Sequence, residues 1–122
     1  MLGQGDGGTT SGSANNYVAN NIVYDNRTYG IIEGGKMGGN NRYVNNLVYA
    51  SGKNWRVAGA VSGAVNSDPL FVRYLANGTG NYRVQTTSRA IDKGAQLPGS
   101  AIDIADVPRP RGLSFDIGAY EF

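Results

Sequence analysis

The run Asn20-Asn21-Ile22-Val23-Tyr24 returns at a fixed offset as Asn45-Asn46-Leu47-Val48-Tyr49, and a second step of the same length reaches Leu70-Phe71-Val72-Arg73-Tyr74. Three columns align: Asn16/Asn41/Asn66, Ile22/Leu47/Val72 and Tyr24/Tyr49/Tyr74. Gly34/Gly59 and Gly38/Gly63 add two pairs. A chain that repeats at a fixed period builds each repeat as one supersecondary unit and buries its apolar face against the next. The Leu-x-x-Leu-x-Leu run of leucine-rich repeats is missing, and no segment has the 3.6-residue periodicity of helical repeats. The apolar runs are instead short, β-branched or aromatic, and bounded by Asn, Gly, Ser or Asp, which is strand chemistry. Two or three such strands per repeat amount to one turn of a parallel β-solenoid.

Alternation along a strand gives each residue a face. Ile22/Leu47/Val72 and Tyr24/Tyr49/Tyr74 share one, and Val23/Val48/Arg73 takes the other. Burying Arg73 without a partner is costly, so the middle column is expected to face outward and the aliphatic and tyrosine columns to stack inside. Asn tolerates left-handed backbone and bonds neighbouring backbone in tight bends, which accounts for the Asn columns as corners. Gly34-Gly35 and Gly38-Gly39 read as bends, since no Gly-x-Gly-x-x-Gly or Walker-type context surrounds them.

Composition excludes several chemistries. The 122 residues hold no Cys and no His, which removes disulfides, the common zinc sites, thiol catalysis and the Ser-His-Asp triad. A net charge of +2 with scattered basic residues argues against nucleic acid as a partner. No apolar stretch reaches the roughly 18 residues of a membrane span, and Met1-Leu2-Gly3-Gln4 does not open a signal peptide. Gly, at 19 of 122 residues, is about twice its usual frequency near 7% and lacks a triplet period, so it marks turns.

Ser67-Asp68-Pro69-Leu70-Phe71-Val72, Tyr82-Arg83-Val84-Gln85, Ser88-Arg89-Ala90-Ile91-Asp92-Lys93-Gly94 and Asp116-Ile117-Gly118-Ala119-Tyr120-Glu121-Phe122 follow one another in order. This ordered set resembles the end of bacterial pectate-lyase-like right-handed parallel β-helix proteins, over roughly residues 15 to 122. Arg89 stands where that family usually has Pro, and only about three coils precede the ending. The resemblance implies an all-β, short right-handed parallel β-helix of about three 25-residue coils with a C-terminal cap. It implies an extracellular or cell-surface setting and polysaccharide as a partner. Ca²⁺ enters as a cofactor only through the resemblance. The residues themselves suggest no cofactor and no metal site, and Asp68, Asp92 and Asp116 are expected to serve turns.

One domain is expected over 1–122: a flexible Gly/Ser-rich arm (1–13), coils (14–74) and a capping segment (75–122). The arm is a poor cover for the first coil, so a homo-oligomer is expected. Glu33, Lys36 and Arg56 are the candidate catalytic residues, with ordinary solvated charge as the alternative for each. Tyr29, Trp55 and Arg56 are the candidate carbohydrate-binding residues, with core or interface as the alternative for Trp55. The function expected is a non-catalytic carbohydrate-binding or surface-interaction module. The alternatives are a miniature polysaccharide lyase or glycosidase and a purely structural, self-associating solenoid.

Overall fold

A computed structural model describes residues 12–122. It holds nine short strands: β1 (Tyr17–Ala19), β2 (Ile22–Tyr24), β3 (Tyr29–Ile32), β4 (Arg42–Val44), β5 (Leu47–Tyr49), β6 (Lys53–Arg56), β7 (Ala60–Ser62), β8 (Phe71–Arg73) and β9 (Asn81–Val84). The strands are short because left-handed residues interrupt them. Asn15, Asn20, Asn40 and Asn45 have φ of 56°, 57°, 62° and 50°. Asn adopts this region at the least cost after Gly, so Asn pairs one repeat apart turn the chain at equivalent corners. Asp25 and Ala50, with φ of 58° and 54°, turn it at a further corner.

The first two turns lie in register. Tyr17–Ala19 pairs in parallel with Arg42–Val44, and Ile22, Val23 and Tyr24 pair with Leu47, Val48 and Tyr49. The third pair, β3 with β6, sets Ile31 against Trp55 and Ile32 against Arg56. The expected β-helix of about three coils is not what the structure shows. The strands form four separate small sheets, of which only β1-β4-β7 reaches three strands; β2-β5 and β3-β6 stop at two, and β8-β9 is antiparallel. The cause lies in the step length. The first step runs from Tyr17 to Arg42, but the second runs only from Arg42 to Ala60, so the third rung arrives early. Residues 33–41 join β3 to β4, whereas Val57-Ala58-Gly59 alone joins β6 to β7. Ile22 and Leu47 are therefore followed in their column by Val65, which bridges to Leu47. Val72 is instead 52% exposed. Asn66 leaves its column too and accepts from Asn54 Nδ2 at 2.9 Å.

The Val23/Val48 column does not face outward as expected. Val48 is fully buried, and a Cβ on Gly30 in β3 would strike its Cγ1, so Val48 points across the turn. Val18, Ile22, Val23, Ile31, Ile32 and Tyr43 line one hollow beside β1, β2 and β3. Leu47 packs on the other side with Val84, Ala90 and Ile117, joined by Ile22, Tyr49, Val65 and Phe71. This is the main core, between the β2-β5 sheet and the C-terminal segment. Arg73 belongs to the antiparallel β8-β9 pair and not to the Val23/Val48 column, so its charge does not set which way that column faces.

The C-terminal segment runs along the side of the turns. Asn45 Nδ2 donates to the Lys93 carbonyl at 2.7 Å, and Asn20 Nδ2 donates to the Ala95 carbonyl at 2.7 Å. Lys93 thus meets the second turn and Ala95 the first. The Gly118 amide donates to the Asn20 carbonyl at 2.9 Å. Within the expected capping segment, Ile102 and Ile104 are 55% and 70% exposed. Tyr24 stacks on Tyr49 at 6.4 Å between ring centroids, but Tyr74 meets Tyr24 edge-on at 4.8 Å and does not extend the stack. Of the expected arm, all but residues 12 and 13 lies outside the described residues. Among the described residues no helix is long and apolar enough to cross a membrane.

Candidate functional site

Glu33 follows β3 directly and sits where three chain segments meet. Its Oε1 accepts from the Tyr43 hydroxyl at 2.8 Å and from Asn41 Nδ2 at 3.4 Å. Its Oε2 accepts from the Ala58 amide at 2.6 Å. Both oxygens are taken, and the side chain ties the first turn to the second and to the start of the third rung. Burial pushes its pKa up, but the hydrogen bonds from the Ala58 amide and the Tyr43 hydroxyl prevail and hold the carboxyl below the usual range. Burial and the hydrogen bond to Glu33 push the Tyr43 hydroxyl well above the ordinary tyrosine value. A carboxylate that already accepts at both oxygens, and whose basicity is lowered by those bonds, is a poor proton acceptor. Glu33 is a staple in this geometry.

Trp55 and Arg56 stand beside it. Glu33, Met37, Trp55, Arg56, Ala58 and Val61 line an open hollow of about 590 Å³. The hollow exists because β6 has no third-rung partner, so Trp55 is left half-covered. One edge of Trp55 packs against the fully buried Tyr43, with centroids 6.2 Å apart and planes at 75°. The Arg56 guanidinium lies over the Tyr29 ring at 5.5 Å, with Nη1 3.4 Å from the Tyr29 hydroxyl. The cation–π contact holds the guanidinium in place without neutralising it. Lys36 is exposed in the loop between β3 and β4 and does not line the hollow. The structure thus gathers Glu33, Trp55 and Arg56, links Tyr29 to them through Arg56, and leaves Lys36 apart.

The asparagines around this site are structural. Asn46 Oδ1 accepts from the Asn21 amide and Nδ2, and Asn41 Oδ1 does the same for Asn16, at 2.7 to 3.0 Å. The aspartates of the C-terminal motifs likewise accept from backbone. Asp68 takes the Leu70 amide at 2.8 Å, Asp92 the Ser114 amide at 2.9 Å, and Asp116 the amides of Asp92 and Phe122 at 2.8 and 2.6 Å. Among the described residues there is no group of three or more Asp or Glu placed to hold a metal ion.

Sequence reasoning missed the role of Tyr43 and Asn41 as partners of Glu33, and that of the Ala58 amide. The signal available was an acid beside a strand end, with the second-turn Asn column and a tyrosine close after it in the chain. No family model matches the chain, and no curated protein or solved structure is significantly similar to it.

Proposed function

We propose that the protein is a non-catalytic carbohydrate-binding or surface-interaction module that takes its ligand at the hollow of Trp55 and Arg56. The observation that carries this reading is the pairing of a half-covered indole with a charged guanidinium on an open hollow, beside a carboxylate with no free oxygen. An aromatic face stacks on the apolar face of a sugar ring, and a guanidinium recognises a carboxylate with two parallel hydrogen bonds. The same arrangement weighs against a lyase or glycosidase, because the acid nearest the hollow is committed to Tyr43, Asn41 and Ala58. An extracellular or cell-surface setting accompanies this reading and rests on the C-terminal motifs.

Trp55 is the sole tryptophan, so its emission reports on the site directly. Titration with neutral and acidic oligosaccharides is expected to shift that emission saturably. Measured by calorimetry, since Trp55→Ala removes the fluorophore, Trp55→Ala and Arg56→Gln should each weaken binding by about tenfold, the loss of about 1.4 kcal/mol. Binding that survives both substitutions, or turnover of the bound sugar, would overturn the reading.

Self-association is a second reading with its own observation. Among the described residues, strands β1, β2 and β3 each pair on one side only, and an apolar hollow opens beside Val18, Val23 and Ile31. An unpaired edge next to apolar side chains is a surface for another copy of the chain. Light-scattering mass that stays monomeric at high concentration would exclude it.

A further inference from the structure

A second hollow lies on the far segment of the molecule, away from Trp55. It measures about 500 Å³, and its walls include Val72, Arg83, Val84, Arg111, Tyr120 and Phe122. This size falls within the range of small-ligand pockets. Three features set its chemistry. First, Val72 and Phe122 are 52% and 50% exposed, although Val84 beneath them is buried, so an apolar wall stands open to solvent. Second, Arg83 and Arg111 are both exposed here, and among the described residues neither guanidinium has a hydrogen-bond or ion-pair partner. Third, Arg83 lies 4.5 Å above the Tyr120 ring, a contact that biases its planar fork toward this wall.

The acid in this wall does not cancel the two cations. Glu121 is buried, with Oε2 3.4 Å from Arg109 Nε. Its Oε1 accepts from the Arg111 amide at 3.2 Å, and its Oε2 from the Asp116 amide at 3.3 Å. Arg109 and Glu121 therefore pair with each other, and Asp116 is taken up by backbone amides, so among the described residues no acidic side chain pairs with Arg83 or Arg111.

We infer that this hollow is a binding site for a small anion with an apolar body, in chemical terms an aryl or branched-alkyl carboxylate. The guanidiniums take the carboxylate, and Val72, Val84 and Phe122 cover the body. A guanidinium already stacked on a ring loses less freedom on binding than an unstacked one, which favours the Arg83 fork as the anchor. The apolar wall separates this ligand class from sugars, whose hydroxyls would lose water there without gaining partners. The inference is independent of the Trp55 site and shares no residue with it.

The test is titration of the whole chain with phenylacetate, followed by arginine Nε–H and backbone NMR. Binding is expected on the order of 1 mM, as suits so small a ligand. The Arg83, Arg111 and Tyr120 signals should move together while Trp55 stays still. Arg111→Gln should weaken binding about tenfold, the usual loss for a charge-assisted hydrogen bond, and Arg111→Lys should restore part of it. Both arginines are exposed, so the thermal midpoint of each variant should match the parent. Should a variant fail to fold, the arginine shifts in the unaltered protein decide alone. Equal binding of the neutral phenylacetamide, equal binding of glucuronate, or an absence of shifts at Arg83 and Arg111 would each overturn the inference.

Discussion

Asn46 offers the sharpest test of how the turns are held together. It is fully buried, and its side chain makes four hydrogen bonds. The oxygen accepts from the Asn21 amide at 3.0 Å and from Asn21 Nδ2 at 2.9 Å. The nitrogen donates to the carbonyls of Val18 at 2.8 Å and Val44 at 3.2 Å. Asn46→Ala removes all four, but their losses differ. The Val44 carbonyl keeps the Asn20 amide at 3.3 Å, and exposed Asn21 regains water at its side chain. The Asn21 amide and the Val18 carbonyl lose their side-chain partner. Two effective bonds at about 1 kcal/mol each, plus the added penalty for an orphaned amide, give about 3 kcal/mol. A domain of this kind is stable by only about 5–15 kcal/mol. Urea unfolding followed by Trp55 emission should show the midpoint lowered by about 1.5 M at an unchanged slope near 2 kcal/mol/M. Asn46→Asp should lose more, because an oxygen would then face both carbonyls. A midpoint within about 0.5 M of the parent for Asn46→Ala would refute the idea that the Asn pairs carry the stacking.

The column correction predicts that Val65→Ala destabilises by about 1 kcal/mol or more while the exposed Val72→Ala stays within about 0.5 kcal/mol, measured by the same titration. Gly30→Ala should cost about 1–3 kcal/mol, because the added methyl meets Val48 Cγ1 and lies 2.6 Å from the Asn54 carbonyl; a thermal midpoint equal to the parent's would contradict that packing. Acid should destabilise the fold through Glu33 and Asp103. Burial pushes the pKa of Asp103 up, but the amides of Glu121, Val107 and Ala105 prevail and hold it low, as the Ala58 amide does for Glu33. Both folded-state values lie below the ordinary 4.5 and 3.8, so the unfolded chain binds protons first as the pH falls. Their contribution is whole above those values and disappears as pH falls through the folded ones. Circular dichroism against pH should show stability falling from about pH 4.5 downward, with the upper part of the fall absent in Glu33→Gln.

The corners and the first two turns are readable from the sequence because Asn is one of the few residues that sits in left-handed backbone at little cost. Asn20 and Asn45 do so in fact, and their spacing is the true step between those turns. The third turn is not readable, because Leu70-Phe71-Val72-Arg73-Tyr74 imitates the earlier runs after the chain has already closed its next turn at Ala60–Ser62. Nothing local to Val65 marks it as the next member of the aliphatic column. The wrong expectation that the Val23/Val48 column faces outward follows from the same imitation, since spacing alone puts Arg73 in a column to which it does not belong. Of the candidate site, the residue types at Trp55, Arg56 and Tyr29 are visible as strand aromatics and a cation. The fate of Glu33 is not, because it depends on the Ala58 amide, which reaches it only through the shortened β6–β7 link.

That shortened link also gives the stack a direction. The step from Arg42 to Ala60 is shorter than the steps from Tyr17 to Arg42 and from Tyr29 to Lys53, so the cross-section narrows toward β7. A further full-width rung would overhang the last one. At the opposite face, among the described residues, β1, β2 and β3 each present an unpaired edge. Duplicating residues 15–39 in tandem ahead of the first corner should therefore lengthen the protein by one complete layer, whereas the same insertion after Ser62 has no matching floor to rest on.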